Sequence, residues 1–331
     1  MKTIALISGG LDSILAARSI KEQGIGIIPL NFYIPFYSRH KGNSCKDMVS
    51  FVRDALGSEL KTIDIGLEFL KILEKPNYGF GSNMNPCIDC KILMLSKARE
   101  LMKELGASFI VTGEVLGQRP MSQHKQALEL IEKRSGLKGI LLRPLSAKHL
   151  SETLPEKEGW VNRDKLLNFS GRTRRPQIEL AKAFKIKDYP NPAGGCLLTD
   201  PEFAKRLKDA INHNELNVRN IELLKLGRHF RFPQNAKLVV GRNEKENGQL
   251  TNLAKNSDYI FAPKGTAGPT CLGIGDFDDE LIRLSCAITC RYSDRNGKIT
   301  ANIAYHRIPA TEENILEVPA IEEPKIISYR I

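Results

Sequence analysis

The sequence predicts a doubly wound α/β domain followed by a smaller α+β domain. Three observations carry this. Short apolar runs alternate with amphipathic helical stretches through the first half of the chain, the pattern of a parallel sheet covered on both faces. A glycine turn joins the first run directly to the first helix, and ligands of such sheets sit at the carboxyl ends of the strands. Composition and charge then change near residue 230. The chain has 331 residues, 41% of them hydrophobic, an ordinary globular composition sized for about two domains.

Each element has its own warrant. Residues 3–7 (TIALI) form a buried strand, and residues 11–23 a helix with Leu11, Ile14, Leu15 and Ala17 facing inward. Residues 27–33 (IIPLNFY) give a second strand. Residues 45–56 give a helix with Met48, Val49, Val52 and Leu56 on one side, and residues 60–65 a third strand. A long helix spans 88–105, with Leu93, Leu95, Ala98 and Leu101 to bury; strands follow at 108–112 and 140–143. The stretch 162–192 is rich in Arg, Lys, Gly and Pro and holds one helix at about 177–184. Thr199-Asp200-Pro201 opens a helix over 201–212, with proline at the first helical position. Strands at 237–241 and 298–305 and helices at 244–255 and 279–292 make up the rear part. The expected division is a nucleotide-binding domain over 1–200, a helical linker over 201–234 and a second domain over 235–331.

No apolar run approaches the ~18 residues of a membrane span. The apolar patch at residues 3–7 is shorter than a signal peptide requires, so the expected location is cytoplasmic. Seven cysteines, an odd number, are then expected to stay reduced. Net charge is +11, unevenly spread: residues 236–331 hold 12 Lys+Arg against 13 Asp+Glu, and the first 235 residues hold 37 against 25. A basic excess confined to the front part suits a polyanionic partner such as RNA, or a plain surplus of surface lysines.

Three motifs carry chemistry. Ser8-Gly9-Gly10-Leu11-Asp12-Ser13 lies between the first strand and the first helix. Its glycines allow a tight turn whose N–H groups point at an anion, at the positive end of a helix. Ser8 and Ser13 supply hydroxyls to phosphate, and Asp12 a carboxylate for Mg²⁺ or its water shell. It is not a Walker A loop, because the Gly-Lys-Ser/Thr end is missing. The second motif, Asn85-Pro86-Cys87-Ile88-Asp89-Cys90, sets two thiols three positions apart; a redox pair, half a zinc site and a sulfur-handling centre all use that spacing. The third, Gly194-Gly195-Cys196, suits a tight turn that presents a thiolate, or a buried structural thiol. Thr112 and Gly113, at a strand's carboxyl end, are expected to line the nucleotide pocket.

SGGLDS after an N-terminal strand resembles the PP-loop of the ATP pyrophosphatase superfamily. The resemblance implies an adenine nucleotide alpha hydrolase (HUP-like) fold and an enzyme that adenylates a carbonyl or carboxylate and releases pyrophosphate. NPC-x-x-C resembles the corresponding segment of tRNA 2-thiouridylases. Residues 112–118 (TGEVLGQ) resemble the TGD-x-LGQ segment of 4-thiouridine synthetases, and residues 142–145 (LRPL) their following strand end. The resemblance implies an ATP-dependent tRNA uridine sulfurtransferase. Ser8, Gly9, Gly10, Asp12, Ser13, Thr112 and Gly113 would bind ATP with Mg²⁺. Cys87, Cys196 and Asp12 would serve catalysis. Cys87, Cys90 and Cys196 would ligate a 4Fe–4S cluster, with a persulfide on Cys196 as the competing mechanism. The partners implied are tRNA and a sulfur donor: a cysteine desulfurase, a carrier or free sulfide.

The basic run Arg172, Arg174, Arg175 is expected to contact tRNA phosphates, since guanidinium suits bidentate phosphate contacts. Residues 237–247 and 288–298 resemble the NFACT-R (DUF814) RNA-binding module, with Arg242, Asn243 and Lys245 as candidate contacts. Cys286 and Cys290, four apart on a helix, are expected in the core. Two other classes stay open: a PP-loop enzyme acting on a small molecule, and a non-catalytic RNA-binding protein.

Overall fold

The computed structural model describes residues 1–36, 48–187, 189, 196–233 and 235–331. These form two compact units, residues 1–199 and 200–331.

The front unit is built on a five-stranded parallel sheet of order β3-β2-β1-β4-β5. In chain order it comprises β1 (Lys2–Leu6), α1 (Leu11–Lys21), β2 (Gly26–Tyr33), α2 (Met48–Leu56), β3 (Lys61–Asp64), α3 (Gly66–Glu74), α4 (Cys87–Leu105), β4 (Phe109–Val111), α5 (Lys125–Arg134), β5 (Leu141–Leu142), α6 (Leu154–Lys157) and α7 (Arg175–Ala183). The chain first builds outward from β1 to β3, then returns to lay β4 on the other side of β1. The carboxyl ends of β1 and β4 therefore flank the topological switch point, where doubly wound sheets open a crevice. The buried Thr3 hydroxyl ties the two strands by donating to the Phe109 carbonyl at 2.8 Å. Helix α1 is buried almost throughout, and packs on α2 and α7. Each of its fully buried Ile and Leu side chains contributes about 1.5–3 kcal/mol of transfer free energy.

The predicted strands and helices of this unit are present, with differences: the short α6 is not among those expected, and on α4 Leu93 and Leu101 are half-buried beside the buried Leu95 and Ala98. Helix α3 was not anticipated; its buried Phe69, Leu70 and Leu73 follow β3 with a single residue between. Helix α5 was missed too, in a polar stretch whose only inward residues are Ala127, Leu128 and Ile131. In α2, Val49 is 42% exposed, because the buried face is set by Phe51, Val52, Ala55 and Leu56. The predicted start of that helix at Cys45, and the glycines before Cys196, lie outside the described residues.

The rear unit comprises α8 (Pro201–Asn212), α9 (Val218–Leu224), β6 (Arg228–Arg231), β7 (Lys237–Val240), α10 (Glu244–Leu253), β8 (Tyr259–Pro263), β9 (Cys271–Ile274), α11 (Asp279–Arg291), β10 (Thr300–Arg307), β11 (Asn314–Pro319) and α12 (Glu323–Ile327). Its six strands form one antiparallel sheet of order β11-β10-β8-β9-β7-β6. Helix α11 packs on β8, β10 and β11, and Cys286 and Cys290 on it are fully buried in the apolar core. Asp278 caps α11 by accepting from the Leu281 N–H at 2.8 Å, so the acidic run at 276–280 opens a helix. Among the described residues no helix is long and apolar enough to cross a membrane.

Candidate active site

The crevice at the switch point opens into a cavity of about 270 Å³, lined by residues of β1, the loop after it, α4 and the exit of β4. Gly9 adopts φ +79°, the left-handed region that glycine enters without a Cβ penalty. Gly10 caps α1 without a side-chain acceptor, so the first N–H groups of the helix are left for an anion. The turn is braced from within. Ser13 Oγ donates to the Gly10 carbonyl at 2.7 Å and accepts from the Ser8 N–H at 3.3 Å. Asn31 Nδ2 on β2 donates to the Ile7 carbonyl at 2.7 Å, fixing where the turn leaves the sheet. A Cβ on Gly113 would lie 2.5 Å from the Asp12 carbonyl carbon and from the Ser13 nitrogen. Only glycine lets the β4 exit lie against the loop this closely.

The thiols converge on the same cavity. Cys87 is the first residue of α4, and Cys90 lies three positions on, which puts both on one helix face. The start of α4 is held by Asp89, whose buried carboxylate accepts from the Asn77 and Tyr78 N–H groups at 3.0 Å each. Cys196 arrives from far along the chain. Its following turn, residues 197–199, is tied to the segment before α4: Met84 N–H donates to the Leu198 carbonyl at 3.1 Å, and Asn83 Nδ2 to that of Thr199 at 2.8 Å. Leu197 N–H donates to the Phe36 carbonyl at 2.9 Å. Burial raises the Cys90 thiol well above its ordinary value, and the neighbouring Cys87 and Cys196 raise it further. Burial pushes Cys196 up to about 11, against the Leu198 N–H and the Arg119 charge. Cys87 Sγ donates to the buried Ser122 Oγ at 3.2 Å.

A buried ion network, not expected from the sequence, supports this wall. Lys91 pairs with Glu114. Arg143 donates from Nε to Glu114 Oε2 at 2.9 Å and from Nη1 to Glu132 Oε2 at 2.9 Å. Burial alone would raise the Glu114 carboxyl; the Lys91 and Arg143 charges overcome it and hold it at about 2. Its sequence signal was the Glu at position 114, where the 4-thiouridine synthetase segment carries Asp.

The cavity thus brings together Ser8, Gly10, Asp12, Ser13, Thr112, Gly113 and the three cysteines, with Gly9 in the same turn. It also contains Arg174, but not its neighbours. Arg172 is exposed, and Arg175 is exposed with its guanidinium paired to Glu179 at 3.0 Å. In the rear unit, Arg242 is engaged with Glu246, and Asn243 caps α10 by accepting from the Glu246 N–H, so both side chains are committed locally.

Comparisons with known proteins bear on both units. Residues 1–152 match the model described as thiamine biosynthesis protein (ThiI), and residues 227–330 the model described as NFACT protein RNA binding domain. The front of the chain is therefore similar to the ThiI family, and the rear to the NFACT RNA binding domain. A protein named "Probable tRNA sulfurtransferase" from Thermococcus kodakarensis is 28% identical over 144 residues, 44% of this chain and 36% of that protein. One of the same name from Methanosarcina mazei is 36% identical over 123 residues, 35% of this chain and 29% of that protein. The chain spans about a third of the length of these relatives. The tRNA-specific 2-thiouridylase MnmA of Marinobacter nauticus is 24% identical, covering 90% of this chain and 81% of that protein. A solved complex of a 4-thiouridine synthetase with RNA and bound ATP aligns at TM-score 0.38 and 21% identity, over 68% of this chain and 52% of that one. The U34-tRNA thiolase NcsA of Methanococcus maripaludis, solved with its 4Fe–4S cluster, aligns at TM-score 0.33 and 18% identity, over 68% of this chain and 73% of that one.

Proposed function

We propose that the chain is an ATP-dependent tRNA uridine sulfurtransferase. The observation that carries it is the single cavity shared by the PP-loop and three thiols. The names of the relatives point the same way. A uracil carbonyl oxygen is a poor leaving group, and a phosphate ester is a good one. The carbonyl oxygen attacks the α-phosphorus of ATP, the bond to the β-phosphate bridge breaks, and pyrophosphate leaves; the N3 proton is released. Hydrosulfide from an external donor then adds at the carbon, the C–O bond breaks, AMP leaves, and the hydrosulfide proton ends on N3. The protein's part is electrostatic and positional. The N–H groups of the α1 terminus and the Ser8 and Ser13 hydroxyls would hold the phosphates, Asp12 would hold Mg²⁺, and Thr112 and Gly113 form the opposite wall.

Among the described residues, no three His, Cys, Asp or Glu side chains close tightly enough on one point to chelate a single ion. The thiols are instead spread around one cavity within electrostatic reach of each other. Three sulfur donors without a fourth fit a 4Fe–4S cluster with one iron left open. Cys87, Cys90 and Cys196 would hold it, and it would supply an iron with affinity for sulfide beside the adenylated base. Iron coordination would also deprotonate thiols that burial otherwise keeps neutral. The exposed Arg172 and Arg175 would meet tRNA phosphate outside the cavity, and a cytoplasmic location goes with this function.

The test is turnover with tRNA. Pyrophosphate release that depends on unmodified tRNA, with a new thiouridine seen by nucleoside mass spectrometry, supports the proposal. Pyrophosphate release driven instead by a small carboxylate or amide acceptor, without thiouridine, replaces it with the small-molecule alternative.

A further inference from the structure

The basic run splits in a way that its sequence does not announce. Arg172 and Arg175 face solvent, while Arg174 lines the cavity with its side chain 25% exposed. Arg174 Nη2 stands 3.6 Å from Asp12 Oδ1, an ion-pair distance but too long for a hydrogen bond. That oxygen is buried and has no hydrogen-bond partner. The other oxygen, Oδ2, accepts from Gln118 Nε2 at 2.7 Å, and Gln118 Oε1 accepts from Gln177 Nε2 at 3.0 Å. Gln177 lies on α7 and is fully buried. The segment before α7 is pinned as well, since Gly171 N–H donates to the Leu116 carbonyl at 2.7 Å. Arg174, at the cap of α7, is therefore set against the loop by a helix that the Asp12–Gln118–Gln177 relay ties to it.

We propose that Arg174 meets the β- and γ-phosphates of the nucleotide, and that its contact with Asp12 is the resting state of that pair. The proposal rests on the adenylating function above. Unlike a Walker A loop, SGGLDS contains no cation of its own. Of the cations lining the cavity, Lys91 is paired with Glu114, and Arg174 is the one whose ion pair is with Asp12. Without Arg174 the Asp12 carboxylate would face an incoming polyphosphate as like charge. With it, the guanidinium cancels the carboxylate until phosphate oxygens replace Asp12 as its partner, in the bidentate fork suited to phosphate. Asp12 Oδ1 is then free for Mg²⁺. As the bond from the α-phosphorus to the leaving group breaks, negative charge collects on pyrophosphate, where the guanidinium already stands.

The test uses the full chain, and measures binding of Mg·ATP, pyrophosphate, AMP and tRNA to wild type, Arg174→Ala and Arg174→Lys. Removing the guanidinium is expected to weaken ATP and pyrophosphate about tenfold or more, and to leave AMP, tRNA affinity and melting temperature unchanged. Lysine is expected to restore part of the loss, as a point charge without the fork. The inference is overturned if Arg174→Ala binds ATP and pyrophosphate like wild type. It is overturned equally if AMP loses as much as ATP, which marks a structural role, or if tRNA alone is lost. A wild type that binds no ATP overturns the adenylating function as well; a wild type that binds ATP beside an unaltered variant overturns this inference only.

Discussion

Gly113→Ala is the smallest change that should disable the site. The added Cβ would stand 2.5 Å from two backbone atoms of Asp12 and Ser13, where ordinary contacts begin at 3.4 Å. Both obstacles are main chain, so no side-chain rotation relieves them. The β4 exit and the PP-loop must part by nearly 1 Å. Overpacking of this kind costs about 1–3 kcal/mol, or several degrees in the melting temperature of a unit this size. A misplacement of about 1 Å at reacting groups costs on the order of 100-fold in rate. The assay is pyrophosphate release at saturating ATP and tRNA, beside a thermal melt. Gly248→Ala on α10 is the control: its Cβ meets nothing within 4 Å, and a glycine-to-alanine change inside a helix adds about 0.5–1 kcal/mol. Full turnover by Gly113→Ala, with an unchanged melt, would refute the close approach.

On the proposed cluster, wild type purified without oxygen is expected to carry about four irons and Cys90→Ala to lose them; iron and sulfide analysis decides, and equal metal in both proteins removes Cys90 from the ligand set. Arg143→Met should leave the buried Glu114 with Lys91 as its one remaining cation and take from Glu132 its ion-pair partner, at a cost of up to about 3–5 kcal/mol, read as a lower urea midpoint; an unchanged midpoint would show the network to be dispensable. His229 gives the rear unit a pH dependence. Burial first, and then the Arg206 and Lys237 charges, hold its imidazole at about 3, against an ordinary 6.5, although Nε2 donates to the Leu226 and Leu223 carbonyls at 2.9 and 3.1 Å. Below 6.5 the unfolded chain takes up a proton that the folded chain refuses. Its contribution is therefore complete above 6.5 and falls as the pH drops toward 3, by about 1.4 kcal/mol per unit. Urea midpoints against pH should show a shallower slope for His229→Gln, and parallel curves would contradict the assignment.

The sequence made some of this legible and hid the rest for identifiable reasons. The PP-loop and NPC-x-x-C could be found because each is one local segment with its own spacing. Their meeting around one cavity was legible only in that ligands of a doubly wound sheet sit at strand carboxyl ends; the order that puts β1 beside β4 comes from the structure. The sequence reading contains none of β6, which lies at the edge of the sheet, β8, β9 or β11. Strands β8 and β9 lie among Gly and Pro residues, and β11, residues 314–319, alternates too weakly, with Ile315 49% exposed. The Lys91–Glu114–Arg143–Glu132 network was invisible because its members come from separate elements and nothing local pairs them. Arg174 looked equivalent to Arg172 and Arg175, since one run of charge cannot tell which side chain the backbone turns inward.

The origin of the third thiol sets an order of events during synthesis. Cys87 and Cys90 leave the ribosome well before Cys196, and the hydrogen bonds that dock the Cys196 turn are made by the last residues of the front unit. All five strands of the sheet and the phosphate loop lie before residue 143, so they emerge with only two of the three thiols of the cavity. Iron delivered at that stage would find an incomplete cage. For the cluster proposed above, loading would be complete only after residue 199 has emerged and the segments on both sides of the cavity have been tied together.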